Sequence, residues 1–171
     1  MRKFLPWIIA GAVVLFGYFY FKGINNTAVT LDQDVKESWG NVQTSYQRRN
    51  DLIGNLVKTV KGAADFEKST LEAVITARSK ATAVTIDPTN ITPEQLAQFN
   101  QAQSGVSSAL SRLLVTVEQY PDLKANQNFL KLQDELASTE NQILTARTRF
   151  NEAVKLYNRH VTIFPNNIFA G

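Results

Sequence analysis

The sequence predicts an all-α protein: an N-terminal transmembrane helix followed by an antiparallel up-and-down four-helix bundle with long first and fourth helices. Three observations carry that expectation. Residues 4–21 (FLPWIIAGAVVLFGYFYF) contain no charged side chain. From Val35 onward, apolar residues recur in alternating steps of four and three, the period of a helix face packed against other helices. Helix formers dominate the 171 residues, with five prolines and eight glycines to interrupt them. With 44% of residues hydrophobic and 19% charged, the chain suits a single domain with its own core.

Residues 1–3 form a short N-terminus ahead of the span. At about 1.5 Å per residue the uncharged stretch covers roughly 27 Å, close to the hydrocarbon thickness of a bilayer. Trp7 near one end and Tyr18 and Tyr20 near the other suit the headgroup boundaries, and Pro6 falls in the first turn, where its missing N–H costs little. A cleaved signal peptide is the competing reading. The length of the run, and its end in bulky aromatics where a cleavage site needs small residues, favour an uncleaved signal-anchor. Arg2 and Lys3 precede the span, while Lys22 stands nearly alone after it. The positive-inside rule then puts the N-terminus in the cytoplasm and the domain outside.

The net charge of +3 belongs to that anchor. Setting aside Arg2, Lys3 and Lys22 leaves as many basic residues as the 15 acidic ones, so the rest of the chain is formally neutral. Nucleic acid is therefore not an expected partner. The absence of cysteine excludes disulfides, a lipoprotein anchor and thiolate chemistry.

Residues 22–30 read as a linker and residues 31–165 as the bundle. In the first bundle helix Val35, Trp39, Val42, Tyr46, Arg49, Ile53, Leu56, Val60 and Ala63 form a heptad seam, on the order of 50 Å long. Gly62 and Asp65 end it, with Asp65 as N-cap of the next helix. A bent continuous helix is the alternative, because Leu71, Val74, Arg78 and Ala81 almost extend the seam. The second helix runs to about Val84, and residues 85–92 are the clearest loop. Thr92-Pro93-Glu94-Gln95 reads as a capping box with proline at the first helical position. The third helix carries Leu96, Phe99, Val106, Leu110, Leu113, Val117 and Tyr120, and Pro121 stops it. The fourth starts within 122–126. Its seam is Phe129, Gln133, Leu136, Glu140, Ile143, Arg147, Phe150, Val154, Tyr157, Val161 and Phe164, closed by Pro165. Short connections imply antiparallel neighbours. The fourth helix would then return toward the membrane and leave the tail at 166–171 near the lipid surface. The short second helix would leave part of the long pair uncovered, as an interface.

Trp39, Tyr46-Gln47-Arg48-Arg49, Asp51-Leu52-Ile53, Asn55-Leu56-Val57 and Thr59-Val60-Lys61-Gly62 resemble the opening motif of the LemA family. LEAVITAR at 71–78, YPDLKAN at 120–126, Phe129, Leu132-Gln133, Glu135-Leu136, Glu140-Asn141, Ala146-Arg147, Phe150-Asn151, Val154, Tyr157-Asn158 and Phe164-Pro165 continue the match. The resemblance implies a single-pass bacterial membrane protein with an antiparallel four-helix domain. The expected location is the bacterial cell (inner) membrane, with the domain outside, or periplasmic, by the positive-inside rule. The resemblance also implies no established enzymatic activity, and relatives linked with membrane proteases and organelle-membrane organisation. Gly54 stands where the family usually has proline, which should loosen that turn. The sequence stops at Gly171, whereas relatives often continue with an aromatic-rich tail.

The seams hold side chains that packing alone would not select: Arg49, Arg78, Gln133, Glu140 and Arg147. A buried arginine needs a carboxylate, since an unpaired charge in a core costs several kcal/mol. Glu140 is the natural partner, with Asp51 and Glu72 in reserve. Three readings stand beside one another: a polar layer that fixes helix register, a groove for a partner helix or an anionic ligand, or a misregistered seam. Arg48, Arg49, Asp51 and Asn55 make the most polar patch, either a solvated face or a recognition surface. Tyr46, Tyr120 and Tyr157 read as core aromatics. His160, the only histidine, lacks the companions of a metal site and suits a helix C-terminus.

No catalytic, cofactor-binding or metal-ligating set assembles, so an enzyme is not expected. The preferred reading is a membrane-anchored helical scaffold or adaptor in the cell envelope. It would contact lipid through residues 4–21, and other membrane proteins, among them a membrane protease complex, or further copies of itself. The alternative is an extracytoplasmic ligand-sensing bundle, although three residues ahead of the anchor leave no cytoplasmic module to receive a signal.

Overall fold

The computed structural model describes residues 5–63 and 66–168. Every regular element among them is helical: α1 (Leu5–Lys61), α2 (Lys68–Ala83), α3 (Pro93–Val117), α4 (Pro121–Lys124), α5 (Gln127–Thr162) and a single 3-10 turn, Asn166–Ile168. The chain forms two compact units. One is Trp39–Arg147; the other joins the residues up to Ser38 with those from Thr148.

Residues 22–30, expected as a linker, are helical and continue α1 without a break. Gly23, Asn25 and Asn26 each lower helix propensity by up to about 1 kcal/mol relative to alanine, so the segment alone is a weak helix former. No proline is present, however, and helix on both sides removes the nucleation cost that weak formers cannot meet alone. The hydroxyls of Thr27 and Thr30 donate to the carbonyls of Gly23 and Asn26, each at 3.0 Å. α1 is long and apolar enough near its N-terminus to cross a membrane, and none of that apolar stretch is buried. Residues 1–4, with Arg2 and Lys3, lie outside the described part.

In the 39–147 unit the seam of α1 holds as read. Trp39, Val42, Tyr46, Arg49, Ile53, Leu56 and Val60 are all buried. Leu52, Ile53, Leu56, Val57 and Val60 pack with Leu71, Val74 and Ala81 of α2, Val106, Leu110, Leu113 and Val117 of α3, Leu123 of α4, and Phe129 and Leu136 of α5. Four longer helices thus share one core. α1 ends at Lys61, where Gly62 N–H turns back to the Thr59 carbonyl at 3.2 Å, so the first and second helices are separate. Asp65 lies outside the described residues. The N-cap position of α2 is held by Glu67, whose side chain makes no capping bond.

The loop before α3 is tied down by the Gln43 amide, which donates to the Ile86 carbonyl at 2.9 Å. The capping box is formed: Gln95 N–H donates to Thr92 Oγ1 at 3.2 Å, and Thr92 N–H to Gln95 Oε1 at 3.1 Å. Thr92→Ala is expected to lower stability by about 1 kcal/mol, measured by denaturant unfolding of the full chain in detergent. Pro121 does more than stop a helix. α3 ends at Val117, and Pro121 opens the four-residue α4, with its missing N–H again at a helix start. Asn126 Oδ1 then accepts from the backbone N–H groups of Asn128 and Phe129 at 2.9 and 3.2 Å and starts α5.

The α5 seam is half a correction. Phe129, Leu136, Ile143 and Phe150 are buried, but Gln133, Glu140 and Arg147 are exposed. Thr139, Ala146 and Ala153, one position earlier, are buried in place of Glu140, Arg147 and Val154. Small side chains fill the tight side of the stripe and the long polar ones stand at its edge. α5 ends at Thr162, before Pro165.

Near the end of α5, in the unit that includes the start of α1, the His160 ring reaches Ile24. Its Nε2 lies 3.1 Å from that residue's carbonyl oxygen. Asn166 Nδ2 donates to the His160 carbonyl at 3.0 Å and lies 3.3 Å from its Nδ1. A donor at Nδ1 and an acceptor at Nε2 select the tautomer with its proton on Nε2. His160 thus has a packing role besides its place at a helix C-terminus.

Candidate functional site

Arg49 occupies a seam position of α1, so the helix geometry carries its side chain into the core, where it is 2% exposed. Its guanidinium is engaged on two sides. Nη1 donates to Glu140 Oε1 at 2.9 Å and to Ser107 Oγ at 3.2 Å. Nη2 donates to Gln103 Oε1 at 2.6 Å and to the Gln103 carbonyl at 3.3 Å. The Nε–H is buried, and among the described residues it has no hydrogen-bond partner. The Tyr46 ring lies beneath the guanidinium, 4.9 Å from centroid to Cζ. Phe99 in turn meets Tyr46 edge-on at 5.0 Å and Trp39 at 5.3 Å, so an aromatic block sets the position of the arginine's wall.

Glu140 is the expected partner, but the pair is lopsided: its side chain is 47% exposed. Arg49 and Glu140 form the floor and one rim of a cleft of about 330 Å³, with Asn100, Ser104, Ser107, Ile143 and Arg147 around it. Among the described residues no carboxylate pairs with Arg147, so the cleft carries two positive charges and one negative. Hydroxyls and an amide add donors. The arrangement suits an anionic oxygen group, which would meet Arg147 at the rim and compete with Glu140 for the buried guanidinium.

The other predicted residues lie elsewhere. Arg48, Asp51 and Asn55 are exposed. Asp51 accepts from Gln47 Nε2 one turn earlier, at 3.1 Å. Glu72 pairs loosely with Lys68 at 3.7 Å. Arg78 is half-buried on α2, and its Nε donates to the Asn50 carbonyl at 2.7 Å. A Cβ on Gly54 would lie 3.3 Å from Arg78 Nη2, so glycine lets the guanidinium lie across α1. The turn expected to loosen at Gly54 stays helical. Gln103, Ser107 and Asn50 were not singled out from the sequence. For Gln103 a signal existed: it lies four residues after Phe99 and three before Val106, at the seam position the apolar pattern skips.

The LemA family model matches residues 38–171, from just before Trp39 through both walls of the cleft. The chain belongs to the LemA family. Among curated relatives, magnetosome protein MamQ 2 of Paramagnetospirillum magneticum is 30% identical over 162 residues, covering 85% of this chain and 60% of the relative. Protein LemA of Metamycoplasma hominis is 26% identical over 153 residues, 90% of this chain and 66% of its own length. Magnetosome protein MamQ of Magnetospirillum gryphiswaldense is 28% identical over 157 residues, 82% and 58%. The chain therefore spans less than two thirds of these relatives. Neither the LemA nor the MamQ name states a catalytic activity. The LemA-family match includes Arg49, Gln103, Glu140 and Arg147, and so the whole cleft.

Proposed function

We propose that the chain is a membrane-anchored helical scaffold or adaptor that acts through protein–protein contacts in the cell envelope, without catalysis of its own. The observation that carries this reading is the cleft over Arg49, whose buried charge is only partly covered by an exposed carboxylate and whose rim holds a second cation, Arg147, that no carboxylate pairs among the described residues. Its partner would be an acidic segment of another membrane protein, a membrane protease subunit included, or of a second copy. The apolar start of α1 would cross the bilayer as a single-pass signal-anchor and, by the charge bias across it, hold the domain on the outer side. An up-and-down bundle is supported by the contacts within 39–147. Gln43 meets Ile86 while Asn50 meets Arg78, so α2 runs against α1. Trp39 meets Phe99 while Arg49 meets Ser107, so α3 runs with it.

The test places a photo-crosslinking residue at Ser104 in the full-length, membrane-embedded protein. Discrete adducts that disappear with Arg147→Glu are expected. Uncrosslinked monomer alone, or adducts indifferent to the charge reversal, would sink the proposal. A second reading, a sensor of small anions, is favoured by the cleft volume, which falls at the lower end of small-ligand sites. It predicts saturable thermal stabilisation by small carboxylates or inorganic phosphate, lost in the same variant.

A further inference from the structure

At the end of α5, three large apolar side chains face outward where a soluble domain would hide them. Ile163, Phe164 and Ile168 are 50%, 79% and 63% exposed. The turn that presents them is built. Asn166, itself buried, is bonded to the carbonyl of His160, Asn167 N–H donates to the Ile163 carbonyl at 3.1 Å, and Ile168 N–H to the Pro165 carbonyl at 3.1 Å. These bonds fold the chain back after Thr162 and leave its apolar side chains pointing away.

The height of this turn along α1 is set by contacts within the same unit. His160 reaches the Ile24 carbonyl, and His160, Val161 and Asn166 share a small pocket with Phe21, Ile24, Asn25 and Ala28. The turn therefore sits beside the end of the uncharged stretch of α1. That stretch covers roughly 27 Å against a hydrocarbon core of about 30 Å, so the apolar layer would end about one or two residues past Phe21, within one helical turn of Ile24. Lys22 on α1 and Lys155 and Arg159 on α5 are all exposed, and among the described residues none is ion-paired with a carboxylate. Apolar side chains at the hydrocarbon boundary, with cations one turn behind them, are the composition of an interfacial lipid anchor.

We infer that the turn at 163–168 is a second membrane contact. It inserts Ile163, Phe164 and Ile168 into the boundary of the same leaflet that α1 leaves, while Lys22 and Arg159 meet anionic phospholipid headgroups. Asn166 is the positioning residue. This inference rests on the reading of α1 as a membrane span, and the experiment separates the two.

The chain has no cysteine, so single nitroxide labels can be placed on the full-length protein in nanodiscs of phosphatidylcholine, with or without phosphatidylglycerol. Labels at Phe164→Cys and Ile168→Cys are expected to collide with oxygen in preference to a water-soluble nickel chelate, as does one at Val14→Cys. A label at Gln142→Cys is expected to show the reverse. Phosphatidylglycerol should deepen the label at 164, and Arg159→Glu should abolish that deepening. Asn166→Ala should return the label at 164 toward water while leaving the label at Val14 unchanged. Nickel-favoured collisions at both 164 and 168, with Val14 oxygen-favoured, would overturn the inference and leave the span intact. Nickel-favoured collisions at Val14 would overturn the span itself. Dipolar broadening at 164 that grows with the number of copies per disc would assign the patch to a second copy and overturn the lipid contact.

Discussion

Arg49→Ala is expected to lower the stability of the 39–147 unit by about 3–4 kcal/mol, a fall in Tm of roughly 10 °C for a protein of this size. Two losses add. The stem of a side chain that is 2% exposed leaves a cavity against Tyr46. Gln103, also buried, keeps a side-chain oxygen whose charged donor has gone. Glu140→Ala should cost less, about 1–2 kcal/mol, because its exposed rim position lets water from the cleft take over the bond to Nη1. Thermal melts of the two single variants in the same detergent check the order. Equal losses would mean that the two charges behave as a fully buried pair.

The same variants separate a stabilising role from a recognising one. Buried polar clusters replaced by apolar residues of similar volume are often neutral or stabilising. Arg49→Met with Gln103→Leu should therefore recover much of the stability lost in Arg49→Ala. If the arginine is kept for what it binds, this folded double variant loses the adducts formed from Ser104. If it only fixes register, the adducts persist.

These contrasts show which parts of the molecule the sequence states openly. The α1 seam was readable because large apolar residues recur along it without substitutes, and the one charge in it demanded a partner on another helix. Glu140 was identified by that demand alone. The α5 seam was readable only in part. Thr139, Ala146 and Ala153 carry too little apolar surface to mark their side of the stripe, while Glu140, Arg147 and Val154 beside them made an equally regular heptad. Gln103 was hidden for a related reason: a polar residue at a core position looks like a gap until the arginine that it serves is placed. At residues 22–30, propensity is a local quantity and α1 overrides it through the helix on either side. Phe164 read as the last position of the α5 seam, but the helix ends at Thr162 and Phe164 faces outward; the apolar side chains of the turn at 163–168 belong to three different local conformations that no single period describes.

Phe99→Ala should be the most damaging change outside the polar set, at about 4 kcal/mol. Phe99 is buried and makes edge-to-face contacts with both Trp39 and Tyr46, each worth about 0.5–1.5 kcal/mol beyond the area it covers. Phe99→Leu keeps most of the volume and loses the ring geometry, at a cost of about 1.5 kcal/mol. That milder variant is the informative one. Tyr46 is the wall against which the guanidinium of Arg49 rests, so a ring lost at 99 loosens the cleft before it unfolds the domain. Leu113→Ala removes a fully buried side chain farther along α3 for about 3 kcal/mol and should leave the cleft as it is. Adduct yield from Ser104, measured well below both melting temperatures, is expected to fall in Phe99→Leu and to hold in Leu113→Ala, although the second protein is the less stable. A yield that instead followed stability across the two variants would disconnect the aromatic block from recognition and reduce it to packing.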